Sequence, residues 1–183
     1  KMAYTVGRLI NDEGFDAVYM DQIAAAQPYS CCDPAHPHAP GGGDWWCRSY
    51  RGLLDRVYRA IPEDAVLTTE CTADPFISHM GGYLSWLWVR NNQVPAFPVI
   101  YSKYISMFGR CYGADSDPDW TGFRMFIAQS LVYGEQLGWI APRKYKESPY
   151  RDFYTECVRT RAKLGKYFWC GTETLRPPVI ETS

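Results

Sequence analysis

"DAVYMDQIAAA", residues 16–26, decides how this chain is read. A compact apolar run, Ala17 to Met20, stops at Asp21, and small residues follow Gln22. A short apolar run bounded by turn signals predicts a buried strand, Asp16 to Met20. Upstream, Met2, Val6, Leu9 and Ile10 recur at spacings of three and four. That spacing predicts a helix over Met2–Asn11, ended by Gly14. A helix, a short link and a strand make one unit of a β/α repeat.

The unit recurs. Residues 27–44, QPYSCCDPAHPHAPGGGD, are too rich in Pro, Gly and His for regular structure. They form a long loop placed to hang over whatever Asp21 faces. Trp45 to Ile61 reads as a helix with Tyr50, Leu53, Leu54, Val57, Tyr58 and Ile61 as its apolar stripe. Asp44 is its expected N-cap and Pro62 its stop. Ala65 to Thr69 is a second expected buried strand, and it ends at Glu70. Three more strands are predicted, at 81–89 (GGYLSWLWV), 96–104 (AFPVIYSKY) and 135–142 (EQLGWIAP). Helices are predicted over Asp119–Val132 and Ser148–Tyr167.

Helices between strands imply parallel strands joined by right-handed crossovers. No Gly-rich phosphate loop follows the first strand, which argues against a dinucleotide or P-loop fold. The expected fold is α/β, the C-terminal portion (about strands 4 to 8) of a TIM (β/α)8 barrel. It would occupy residues 1–170, with 171–183 as a linker or the start of a following module. A complete barrel takes ~250 residues. Its N-terminal half is therefore expected in the same or another chain.

Composition narrows the partners. Net charge is −1, which excludes a broad electrostatic grip on nucleic acid. No stretch approaches the roughly 20 apolar residues that span a bilayer, so no membrane partner is expected. Aromatic residues reach 16% and gather at strand ends and in loops, which suits stacking on sugar rings as well as a bulky core. The seven Cys are odd in number and form no CxxC pair, so they read as mostly free thiols of a reducing compartment. The chain reads as starting within a domain, without a signal peptide, so its localisation is not legible.

In a barrel the C-terminal strand ends share one face, and active sites sit there. Asp21 and Glu70 end consecutive strands. Neighbouring strands lie ~4.8 Å apart. Such carboxyls can reach the ~5–5.5 Å separation of retaining glycosidases or the ~6.5–9.5 Å of inverting ones. One acid protonates a leaving oxygen while the other attacks carbon or activates water, and neither cofactor nor metal is required. A strand that merely meets solvent also ends in a polar residue, so each carboxylate alone means little. Two together, beside an aromatic rim, point to glycoside chemistry on a carbohydrate substrate.

The stretches FDAVYMDQIAAA, CDPAHPHAPGGGDWW, AVLTTEC and GGYLSW carry a resemblance over about residues 1–145. Together they resemble an uncharacterised bacterial family of glycoside-hydrolase-like barrel domains. That family is similar to retaining α-galactosidases and endo-α-N-acetylgalactosaminidases. The resemblance implies Asp21 as nucleophile after the fourth strand. It implies Glu70 as acid/base after the fifth, as in the endo-acting group. The α-galactosidases place an Asp after the sixth strand, where this chain has Ser85 and Trp86. The implied activity is retaining hydrolysis of α-linked galactose- or N-acetylgalactosamine-type substrates.

Tyr19, Gln22, Trp86, Tyr101, Lys103, Arg110 and Trp139 are the expected substrate-binding residues. Trp45 and Trp46 are either sugar platforms or core, and His79 is expected to hydrogen-bond at a strand start. His36-x-His38, with Asp33 and the Cys pair, has metal-ligand chemistry. Its interleaved prolines read first as a rigid loop, so no metal is assigned. Two further readings stand beside the glycosidase. One is a non-catalytic carbohydrate-binding barrel, and the other is a metal-dependent hydrolase using Asp33, His36 and His38.

Overall fold

The computed structural model describes residues 1–85, 96–109, 120–138 and 140–170. Four strands, β1 (Ala17–Met20), β2 (Val66–Glu70), β3 (Gly82–Leu84) and β4 (Ser106–Phe108), pair in the order β1-β2-β3-β4. The sheet is parallel, as β1 and β2 show directly, so the chain is an α/β protein. It divides into two compact units, residues 1–83 and 84–183.

The first unit follows the sequence closely. Helix α1 is Met2–Asn11, with Val6 and Ile10 buried, as the three-and-four spacing requires. Helix α2 is Trp45–Tyr58 and buries Leu54 and Val57. Asp44 sits at its N-cap but makes no capping bond; its Oδ1 accepts from Arg48, at 2.6 Å. Gly7 lets α1 approach the end of α2, because a Cβ there would stand 3.2 Å from the Ala60 carbonyl oxygen. Asn11 Nδ2 donates to that same oxygen at 2.8 Å, fixing the crossing. A 3-10 helix, Asp74–His79, fills the connection from β2 to β3. His79 Nε2 and Asp55 Oδ1 on α2 hydrogen-bond at 2.7 Å.

The expectation that Asp16–Met20 is a buried strand needs correction. Only Met20 is buried, while Ala17 and Tyr19 are exposed. The reason is position: β1 is an end strand of the sheet, whereas β2 lies inside it and buries Leu67, Thr69 and Glu70. An apolar run cannot announce which of these places it will take.

The second unit departs further. Residues 96–101 form helix α3 (Ala96–Tyr101), not the start of a strand. Val99, Ile100 and Tyr101 favour strands, but Pro98 lies in the first turn, where its missing N–H costs nothing. The strand comes later as β4, three residues long and too short to show a period. The strand expected at 135–142 is reduced to one bridge between Phe108 and Gln136. Helix α4 is Thr121–Val132. The helix expected at 148–167 is instead α6 (Arg151–Lys163) and α7 (Gly165–Cys170), preceded by a short α5 (Pro142–Glu147). Phe123 and Ile127 of α4 pack with Cys157 of α6 to form this unit's core. No helix among the described residues is long and apolar enough to cross a membrane.

Candidate active site

The register of β1 on β2 builds the site. Tyr19 lies opposite Thr68 and Met20 opposite Thr69. The next step in each chain is Asp21 and Glu70. Alternation puts Tyr19 and Asp21 on one face, and Thr68 and Glu70 beside them. The two carboxylates therefore leave adjacent parallel strands at the same end and toward the same side.

Their contacts agree. Glu70 is only 8% exposed, while Asp21 is exposed. Burial pushes the Glu70 carboxyl above the usual range, and a hydrogen bond with Asp21 and its negative charge push it the same way. Two neighbouring carboxyls do not both ionise cheaply, and the drier Glu70 is the one pushed upward. Gln22 Nε2 donates to Glu70 Oε2, and the Gln22 amide donates to Asp21 Oδ1 at 3.0 Å. The Tyr19 hydroxyl is also held protonated, by burial first, then by the charges of Glu70, Asp21 and Cys71 and a hydrogen bond to Asp21.

A backbone feature marks both strand ends. Gln22 (φ 61°) and Cys71 (φ 59°), the residues directly after the two carboxylates, are left-handed. Non-glycine residues there cost of order 1 kcal/mol and concentrate at functional sites. Cys71 was absent from the sequence-derived site. Its signal was its place after Glu70, matching that of Gln22 after Asp21.

The remaining expected residues fare differently. Tyr101 ends α3 and Lys103 follows it, three residues before β4 begins. Both precede their strand, at its entry end, so their expected place near a strand's C-terminal end is corrected. Lys103 instead lines a 200 Å³ cavity with Tyr104, Met107 and Tyr133, within the second unit. Trp86, Arg110 and Trp139 lie outside the described residues.

The long loop is closed on itself. Cys31 and Gly41 form an isolated antiparallel bridge, with N–O distances of 3.1 and 2.7 Å. Trp45 and Trp46, each half-buried, hold aromatic neighbours at the start of α2. Trp45 stacks on His38 at 4.5 Å between ring centres, and Trp46 meets Tyr29 edge-on. Of the expected group of His36, His38, Asp33 and the Cys pair, the two histidines and Cys31 come together. Cys31, His36 and His38 bring one ligand atom each within 4.8 Å of one another.

Comparison with known proteins gives the chain its relatives. A protein of Monosiga brevicollis named "Putative glycoside hydrolase 22789" is 30% identical over 172 residues, 91% of this chain and 14% of that protein. A Bacteroides thetaiotaomicron protein named "Putative glycoside hydrolase" is 38% identical over 132 residues, 69% of this chain and 19% of its own length. The chain thus spans less than a fifth of either relative. Residues 1–112, which contain both carboxylate-bearing strands, match the domain of unknown function DUF6259. The chain belongs to the DUF6259 family.

Proposed function

We propose that this chain carries the catalytic carboxylates of a retaining glycoside hydrolase. The observation that supports it best is the unequal pair: an exposed Asp21 ending the strand beside that of a buried Glu70, whose carboxyl is pushed above the usual range. A general acid must keep its proton near neutral pH, and a nucleophile must not. Carboxyls at the same end of adjacent parallel strands, which lie ~4.8 Å apart, suit the ~5–5.5 Å separation of retaining enzymes. The names of the two relatives point to the same class.

Glu70 gives its proton to the glycosidic oxygen as the carbon–oxygen bond breaks. An Asp21 oxygen forms the new bond to the anomeric carbon, giving a glycosyl ester. Glu70, now ionised, takes a proton from water; that water attacks the same carbon and frees Asp21. The Tyr19 hydroxyl, bonded to Asp21, orients the nucleophile. Gln22 holds Glu70 in line.

The substrates proposed are α-linked galactose- or N-acetylgalactosamine-type glycosides, on the family resemblance. The architecture proposed is the strand 4-to-8 portion of a (β/α)8 barrel, whose other strands come from the rest of a longer protein. The end-strand position of β1, with one edge unpaired within the sheet, suits such a completion. An activated 2-fluoro-glycoside tests the reading: it should leave a covalent sugar on the peptide containing Asp21. A label on another residue, or turnover undiminished in Asp21→Asn, would refute it. A carbohydrate-binding barrel without catalysis predicts binding with no label at all.

A further inference from the structure

The loop over residues 31–41 holds three soft or borderline donors that the glycosidase chemistry does not use. Cys31 Sγ and His36 Nδ1 are 3.1 Å apart. The His38 ligand atom completes a set within 4.8 Å. Tetrahedral zinc, with Zn–S ~2.3 Å and Zn–N ~2.0–2.1 Å, separates neighbouring ligand atoms by about 3.3–3.6 Å. To take an ion, the Cys31–His36 pair would open by about 0.5 Å and the widest separation in the set, at most 4.8 Å, would close by roughly 1 Å, both within reach of side-chain rotation.

The surroundings orient each donor. The Cys31–Gly41 bridge closes the loop, so the ten-residue span returns Cys31 to the histidines. Ala35 N donates to Asp33 Oδ1 at 2.9 Å and His36 N to the Asp33 carbonyl at 3.3 Å, forming the turn between them. The His38 Nδ1 atom lies 3.0 Å from the Ala39 carbonyl, which leaves Nε2 as the nitrogen with a lone pair to offer. Asp33 Oδ2 stands 3.7 Å from His36 Nε2, the ring nitrogen turned away from Cys31. A carboxylate behind one ligating histidine and a carbonyl behind the other is the usual outer support of a metal site. His38 also stacks on Trp45, which ties the loop to the first turn of α2.

We propose that Cys31, His36 and His38 bind one zinc-class divalent ion that clips this loop to the start of α2. The Cys31 thiol releases its proton to solvent as the sulfur–metal bond forms, and water fills the fourth position. Cys32, next in sequence, is exposed and stands outside the set.

The test is metal titration of the full-length, chelator-stripped protein in a phosphine reductant. Cobalt(II) should bind at one equivalent with a thiolate-to-cobalt band in the near ultraviolet, and zinc should displace it. Cys31→Ser should abolish that band, while Cys32→Ser leaves it intact. His36→Ala and His38→Ala should each weaken zinc at least tenfold, and Asp33→Asn by about 10–100-fold. Asp21→Asn should bind metal unchanged, which separates this inference from the glycosidase reading. No stoichiometric binding would mean that Cys31 and His36 make only a thiol–imidazole hydrogen bond. That result, or a band that survives Cys31→Ser, would overturn the proposal.

Discussion

The ends of β1 and β2 are built alike and live differently. Each runs through a buried residue, Met20 or Thr69, to a carboxylate and then to a left-handed residue. Yet Asp21 is open to water and Glu70 is not. The chemistry of the residues does not separate them. Their place in the sheet does: an end strand leaves its last carboxylate hydrated, and an interior strand dries the next one. Unequal hydration of two like acids can thus be written into strand order.

The sharpest way to break this comparison is to remove the hydrated member. Asp21→Asn should cut turnover at least ~10³-fold while sugar binding persists, read by kinetics beside isothermal titration. Removing the dry member should cost less. Glu70→Gln is expected to lose ~10²–10⁴-fold on substrates with poor leaving groups and far less on activated aryl glycosides, which need no proton.

Glu70→Gln also tests the dryness itself. The folded carboxyl binds its proton more tightly than the unfolded one. Its stabilising contribution is complete below the unfolded glutamate range and is lost as pH rises through the raised folded value. Denaturation midpoints of the parent should therefore fall, as pH rises above the unfolded glutamate range, by more than those of Glu70→Gln. An equal fall in both would contradict a raised Glu70.

A third change disturbs one strand only. Gly81 leaves no room beside β2: a Cβ there would stand 2.6 Å from Val66 Cγ1. Gly81→Ala should cost ~1–3 kcal/mol of stability by chemical denaturation. The smallest effects concern the two left-handed residues. Cys71→Gly should gain up to ~1 kcal/mol by relieving strain. Gln22→Gly should gain nothing net, since the same relief is offset by the lost bond to Glu70, worth about 1 kcal/mol. Equal gains in both would show that the Gln22 bond adds no stability.

The first unit was largely legible because its signals were local and concordant. Helical spacing, a proline stop and two short apolar runs ending in acids gave α1, α2, β1 and β2 nearly to the residue. Edge position was not legible, because an apolar tetrapeptide looks the same beside one neighbour or two. In the second unit, Val99-Ile100-Tyr101 carried strand propensity into a six-residue helix, and β4 was too short to have a pattern. The site followed the same divide. The carboxylate pair could be read from two adjacent repeats, whereas which of the two adjacent Cys joins His36 and His38 depends on Cys31 pairing with Gly41 ten residues away.

The end-strand position of β1 has a thermal consequence. Among the described residues these four have a partner on one side only, so in a chain without the strands proposed to complete the sheet they form the sort of segment that frays well below the global unfolding free energy. Amide hydrogens of Ala17–Met20 should exchange faster than those of β2. Asp21 rides on the segment that opens first, so heat should silence the carboxylate pair at temperatures where the rest of the first unit still holds its helices.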